Sequence, residues 1–312
     1  MNKIVKINLY DKHGDASSNH NSRCATTLDK IPLTAKIVSD GSGTIDLWDE
    51  DAICNAMSTS VKLDFLDKCT TKKGKKKLQI AWIREPRELI SLHRKELIDS
   101  LDNEPQLWFR YFHYILTQDY KLCRSDDRFK FVLGNGFWIK DIGLHDKTKL
   151  VSIISSEKSF LSGHKVRRKW FHQLMEDACT RPKNSPIDFF GRGYPTSNIS
   201  NGIQNKIREI GTKEEALKTY MFSVVIENSM QDTFITEKVM DCFATGTVPI
   251  YWGTPRIVEH FNPDGIIFLK NDFEISQLSR KLYLSKATAI RENFEIVKKY
   301  EIPLDYMLKD LK

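Results

Sequence analysis

Residues Phe222 to Gly253 read FSVVIENSMQDTFITEKVMDCFATGTVPIYWG and place an apolar strand, a polar turn, a helix and a second apolar strand within one short stretch. The run Ser223 to Ile226 is β-branched and apolar, as in a strand covered on both faces, and Glu227, Asn228 and Ser229 leave its carboxyl end. Ligands of open α/β sheets bind at that edge. Thr236 predicts an N-cap, Ile235 and Met240 a hydrophobic staple across it, and Gly246 a left-handed stop before Val248. Lys238 falls in the first helical turn, where the macrodipole disfavours a cation by roughly 0.3 to 1 kcal/mol, so a negative group is expected to offset it. Free amides at the helix start, the dipole and the lysine together suit a phosphate or diphosphate. The carboxylate of Glu237 suits two hydrogen bonds from a ribose diol.

The same alternation extends on both sides of this unit. From Lys149 the chain reads strand LVSIIS, helix GHKVRRKWFHQLMEDA, strand IDFFG and helix KEEALKTYM before it, and strand GIIFL after it. Strands alternating with helices predict a parallel, doubly wound sheet with right-handed crossovers. Two amphipathic segments, Ile275 to Leu284 and Ala287 to Tyr300, follow. Upstream, strands at Leu78 to Ile83, Tyr111 to Leu116 and Phe129 to Leu133, with a helix at Ile90 to Leu101, predict another α/β domain. Ala35 to Val38 and Thr44 to Trp48 are further strand candidates in a weakly patterned first stretch. A chain of 312 residues exceeds what one core usually serves, so two domains are expected, 1–146 and 147–312.

Composition narrows the function classes. No apolar run reaches the length of a membrane span, and the amino terminus lacks the apolar core and cleavage site of a signal peptide. A cytoplasmic location is therefore expected, with any membrane association peripheral. The six cysteines, Cys24, Cys54, Cys69, Cys123, Cys179 and Cys242, form no C-x-x-C pair, so reduced thiols are expected. A net charge of +7 favours anionic partners, and KKGKKK at Lys72 to Lys77 is the densest basic run. Such a run is most simply a solvated loop; its functional readings are nucleic acid, an anionic membrane surface or an acidic acceptor. Asp49, Glu50 and Asp51 read as a solvated turn rather than a metal site, and the histidines show no ligand spacing. Asn198, Ile199 and Ser200 match a glycosylation sequon that is idle in the cytosol.

The pattern FxxxIENSxxDxFxTEKxxDCFxTGxxPIYWGxP closely resembles the donor-site signature of glycosyltransferase family 10, the α-1,3-fucosyltransferases. The likeness extends upstream to VSIISS, to Arg167, Trp170, Phe171 and Leu174 at helical spacing, and to IDFFGRG at Ile187 to Gly193, and covers roughly Val151 to Phe268. The resemblance implies two Rossmann-like domains facing a central cleft, the GT-B arrangement, with acceptor bound by the first and GDP-sugar by the second. It implies that Arg167 and Lys238 neutralise the diphosphate, Glu237 holds the ribose and Asn228 lines the donor pocket, with Phe234 and Thr236 in the same window. Two cations and a helix start placed on a departing diphosphate stabilise the charge that develops as the glycosidic bond breaks. Arginine's planar fork grips phosphate oxygens in pairs; Arg168 is the alternative to Arg167. Phe234 stands where the family usually has tyrosine, which removes a phenolic hydrogen bond and keeps an aromatic wall. Tyr251 and Trp252 are expected to pack as core.

An inverting transfer also needs a general base for the acceptor hydroxyl. By resemblance this is Glu85, just after the strand in LQIAWIREP, with Glu88 the substitute and a surface pairing with Arg84 or Arg87 the alternative. His164 is either a helix-start residue or a contact to donor or acceptor. The expected activity is an inverting transfer of fucose from GDP-fucose to a hydroxyl of a glycan acceptor, with no metal or other cofactor required. The competing readings are another GDP-sugar, a sugar-nucleotide-binding protein without turnover, and a nucleic-acid binder using Lys72 to Lys77 and Lys165 to Lys169.

Overall fold

The computed structural model describes residues 5–10, 35–37, 44–49, 77–133, 136–180, 186–192, 207–209, 211–301 and 306–307. The chain divides into two compact units, Met1–Asn135 with Glu301–Lys312, and Gly136–Tyr300. The division precedes the expected boundary near Asp146. The intervening segment is tied to the second unit: the Trp138 amide donates to Asp241 Oδ1, the Lys140 amide to Glu214 Oε1, and the Gly143 amide to the Ala244 carbonyl.

In the first unit, β1 (Val5–Tyr10), β2 (Ala35–Ile37), β3 (Ile45–Asp49), β4 (Leu78–Ile83), β5 (Tyr114–Thr117) and β6 (Phe129–Phe131) form one sheet in the order β2-β1-β3-β4-β5-β6. All its pairings are parallel. Strand β1 was not among the expected elements, although Lys6 and Asn8 alternating with Val5, Ile7 and Leu9 carry a strand period. The single helix expected at Ile90 to Leu101 is two, α1 (Arg87–His93) and α2 (Lys95–Asn103), because Arg94 leaves helical geometry at φ −154°. The break separates the buried face of α1, at Ile90, from that of α2, at Leu97, Ile98 and Leu101. Two single-turn helices, α3 (Pro105–Trp108) and α4 (Tyr120–Cys123), add the buried Trp108 and Leu122.

Lys77 departs from its expected place in a solvated basic loop. It is buried, with Nζ 3.5 Å from Asp46 Oδ1, and Gln79 donates to the other oxygen of the same fully buried carboxylate. Lys72–Lys76, Glu50, Asp51, Cys24, Cys54, Cys69 and the sequon at Asn198 lie outside the described residues.

The second unit holds β7 (Lys149–Ser156), β8 (Ile187–Arg192), β9 (Ile207–Arg208), β10 (Tyr220–Ile226), β11 (Val248–Trp252) and β12 (Ile267–Phe268). All its pairings are parallel and the order is β12-β11-β10-β7-β8-β9. Its helices are α5 (Ser162–Thr180), α6 (Glu214–Leu217), α7 (Glu237–Thr245), α8 (Arg280–Ser285) and α9 (Ala287–Val297). The helix expected over KEEALKTYM shrinks to one turn because Tyr220 and Met221 belong to β10, all seven of whose residues are buried. Phe171 from α5 packs edge-on against Phe189 of β8, both essentially sealed from solvent, and each such burial stabilises the unit by roughly 1.5–3 kcal/mol. Tyr251 is core, as expected. No helix among the described residues is long and apolar enough to cross a membrane.

Candidate functional site

Successive strands run outward from β7 in one direction, through β8 and β9, and outward from β10 in the other, through β11 and β12. The order therefore reverses between β7 and β10, and a crevice opens where their carboxyl ends diverge. A cavity of about 250 Å³ occupies this place, with Ser155 and Ser156 from β7, Arg167 from α5, Glu237 and Lys238 from α7, and Lys213 ahead of α6 in its wall. The Ser155 hydroxyl is buried there without a hydrogen-bond partner among the described residues. A buried, unsatisfied hydroxyl facing a cavity costs roughly 1–3 kcal/mol unless a ligand or water completes it.

Gly163 brings α5 against the end of β10. Its amide donates to the Asn228 carbonyl at 3.0 Å, and a Cβ at this position would stand 1.9 Å from the Glu227 carbonyl oxygen, so only glycine permits the approach. One turn later Arg167 is carried over the strand end, where its guanidinium donates to the Ile226 carbonyl and, at 2.9 Å, to Asn228 Oδ1. Arg168 points elsewhere and lies 3.5 Å from Glu157 Oε2. The basic cluster Lys165 to Lys169 is thus split, with Arg167 buried and its neighbours partly or fully exposed.

The start of α7 is built around Glu227, a fully buried carboxylate. Thr236 donates to it twice, from its amide at 3.0 Å and its hydroxyl at 2.6 Å, while Thr236 Oγ1 caps the helix by accepting from the Lys238 amide. Gly246 ends the helix at φ 69°, the left-handed stop expected. Lys238 Nζ lies 3.5 Å from Glu227 Oε2 and 3.4 Å from Glu237 Oε1. The negative charge expected to offset Lys238 is therefore supplied in part by the chain itself.

Glu237 has a second cation on its other side, Lys213 at 3.7 Å. Burial pushes this carboxyl up, but Lys238 and Lys213 outweigh it and hold it at about 2. Lys213 also lies 2.5 Å from Asp241 Oδ2 and 4.1 Å from the centre of the Trp138 ring. Burial pushes Asp241 up to about 6 against the pull of Lys213. Glu227, Lys213, Asp241 and Ser155 were not among the expected site residues. The spacing of Glu237 and Asp241, one helical turn apart on one face, was the available signal for the last carboxylate.

Not every expected residue reaches the cavity. Phe234 is buried beside the Gln231 turn and Thr236 acts through the cap; neither is in the cavity wall. Asn228 contributes indirectly by holding Arg167. His164 is buried at the start of α5 with Nδ1 accepting from the Leu161 amide. Burial, then Arg167, Lys158 and Lys238, lower it to about 4, so it is neutral at neutral pH. Glu85 lies in the first unit, half-buried two residues after the end of β4. Nearby Arg87 grips Asp102 with both terminal nitrogens and also meets Asp119. Among the described residues no group of three His, Cys, Asp or Glu side chains comes together as a metal site. A larger cavity of about 540 Å³ between α5 and Phe273–Leu278 has no basic side chain in its wall, so the charged chemistry belongs to the smaller one.

A doubly wound sheet with cations at its reversal point is the layout of a nucleotide-binding α/β unit. A family model described as glycosyltransferase family 10 (fucosyltransferase) C-term matches residues 144–309, and the chain belongs to that family. It is 29% identical over 122 residues to alpha-(1,3)-fucosyltransferase FucT of Helicobacter pylori, covering 39% of this chain and 23% of that protein. To a putative fucosyltransferase-like protein of Arabidopsis thaliana it is 33% identical over 95 residues, 30% of this chain and 18% of the relative. To alpha-(1,3)-fucosyltransferase B of Drosophila melanogaster it is 29% identical over 139 residues, 43% and 29% of the two chains. The match thus spans less than a third of each curated relative. Among solved structures, an alpha1,3-fucosyltransferase with GDP aligns with a TM-score of 0.49 and 14% identity, covering 96% of this chain and 90% of that one.

Proposed function

We propose that this protein transfers fucose from GDP-fucose to a hydroxyl of a glycan acceptor, with inversion at the anomeric carbon. The observation that carries the donor is the convergence of Arg167, Lys238, Lys213 and Glu237 on one cavity at the reversal point of the second sheet. Arg167 and Lys238 beside a helix start meet the charge of a diphosphate, with Lys213 held behind them on Asp241 and Glu237. Lys238 retains partial exposure and turns from Glu227 toward the phosphates, Arg167 brings its charge to the cavity wall with its guanidinium fixed on the Ile226 carbonyl and Asn228, and Ser155 gains the partner its hydroxyl lacks. The Glu237 carboxylate, ionised above about pH 2, accepts from the ribose diol. As the bond to fucose breaks, negative charge gathers on the leaving diphosphate, and these cations stabilise it.

The sugar and the acceptor chemistry follow the curated relatives, two of which are named α-1,3-fucosyltransferases. In this reading the two units form a GT-B enzyme and Glu85 is the general base that takes the acceptor's proton. The test is a panel of GDP-sugars incubated with oligosaccharide acceptors and read by mass spectrometry, with Glu85→Gln alongside. GDP-fucose should give a product heavier by one deoxyhexose, and Glu85→Gln should lower kcat by about 10²–10⁴ with GDP affinity retained. Transfer of a different GDP-sugar would replace the fucose assignment. An unimpaired Glu85→Gln would remove that residue from the chemistry, and absence of GDP binding would remove the donor site itself.

A further inference from the structure

Among the described residues, Lys213 is the cation of this cavity that neither the donor window nor its upstream likeness picks out. It stands at the N-cap position of α6, an element otherwise unrelated to α7 in sequence, and the fold brings its ammonium to the side of α7 that bears Glu237 and Asp241. Those two carboxylates are one helical turn apart and repel each other unless a cation lies between them. Three contacts limit the freedom of the ammonium: Asp241 Oδ2 at 2.5 Å, Glu237 Oε1 at 3.7 Å and the face of Trp138 at 4.1 Å. Asp241 is itself fixed, since its other oxygen accepts from the Trp138 amide at 2.6 Å. Glu237 thus sits between two ammonium groups, Lys238 from its own helix and Lys213 from outside it.

We propose that Lys213 is a positioning residue of the nucleotide site, which holds the Glu237 carboxylate in place for the vicinal hydroxyls of the donor's ribose. The inference rests on the reading of this cavity as a nucleoside diphosphate site with Glu237 on the ribose. Lys238 alone does not fix the carboxylate, because its ammonium is shared with Glu227 and is the group that turns to the phosphates. When it turns, Lys213 is the remaining cation on Glu237. Direct contact of Lys213 with phosphate is disfavoured by its shortest partner. Leaving Asp241, which has no exposure to solvent, would strand a buried carboxylate with a single amide for company.

The experiment is calorimetric titration of the full chain with GDP and with 2′,3′-dideoxy-GDP, each against wild type, Lys213→Met, Lys213→Arg and the double variant Lys213→Met/Asp241→Asn. Wild type should bind GDP about tenfold tighter than the dideoxy analogue, the worth of a charge-assisted hydrogen bond. Lys213→Met should lose about that tenfold for GDP and little for the analogue, so that the preference collapses toward one, and Lys213→Arg should restore most of it. The double variant removes the stranded carboxylate and should recover thermal stability without recovering the preference. Equal weakening of both nucleotides in Lys213→Met, or recovery of the preference in the double variant, would make Lys213 purely structural and overturn the proposal. Wild type that binds both nucleotides equally well would take Glu237 off the ribose and the proposal with it. Wild type that binds neither fails at the nucleotide reading, an outcome visible before any variant is made.

Discussion

Glu227 and Thr236 are joined by two hydrogen bonds, the threonine amide to Oε1 at 3.0 Å and its hydroxyl to Oε2 at 2.6 Å. The end of strand β10 therefore sets the start of helix α7 directly, and Lys238 is delivered to the cavity by a carboxylate that is itself out of reach of solvent. Replacing Glu227 with Gln keeps the volume but turns one acceptor into a donor facing a donor, and leaves Lys238 without its buried anion. The expected loss of stability is about 2–4 kcal/mol in urea unfolding. A loss below about 0.5 kcal/mol would show that α7 is set by its packing alone.

Gly163 locks α5 against the end of β10, as Glu227 and Thr236 lock α7. An alanine Cβ would meet the Glu227 carbonyl oxygen at 1.9 Å and the Asn228 carbonyl carbon at 2.6 Å, both backbone atoms that cannot swing aside. Gly163→Ala should cost about 1–3 kcal/mol and weaken GDP binding, because the helix that carries Arg167 has to move. Melting temperature and GDP affinity measured on the same sample check both halves.

Arg167 and Arg168 are adjacent in sequence and divergent in space, one on Asn228 and the other near Glu157. Arg167→Ala should weaken GDP binding by about 10-fold to 100-fold, Arg167→Lys by less, and Arg168→Ala by no more than about threefold. Reversal of that order would exchange the two assignments.

Lys147 is buried at the other end of the sheet, where Nζ donates to the carbonyls of Leu217, Lys218 and Thr245 and to the Thr247 hydroxyl. Burial, with no carboxylate among these partners, lowers its ammonium to about 7. The unfolded chain keeps that proton up to the ordinary lysine range, so between about pH 7 and 10 the unfolded state binds more protons and the Lys147 contribution to stability rises with pH. Subtracting Lys147→Met cancels the other titrating groups. The wild type minus Lys147→Met difference in unfolding free energy should increase from pH 7 to 9.5, by at most about 1.4 kcal/mol per pH unit.

The architecture of the second unit was open to reading because its information is local. An apolar β-branched run, a capping threonine and a glycine that must turn left each act over a few residues, so β10, α7 and β11 follow from Phe222 to Gly253 without reference to the rest of the chain. The helix over KEEALKTYM failed by the same logic. Its local propensity is helical, but Tyr220 and Met221 gain more from burial in the sheet, and such a gain is invisible at short range. Lys77 likewise follows a run of lysines in sequence and meets Asp46 in the core only once β3 and β4 are paired.

The sequence by itself determined the parallel α/β class, the cap and stop of α7, and the resemblance that picked out Arg167, Glu237 and Lys238. Tertiary structure decided which charges face which. Glu227 became the buried anchor of Lys238, Arg167 rather than Arg168 turned to the strand end, and Lys213 arrived beside Glu237 from another helix. The physical reason is that secondary structure answers to neighbours three or four residues away, whereas the pairing of buried charges depends on strand order, and strand order joins residues that lie far apart in the chain.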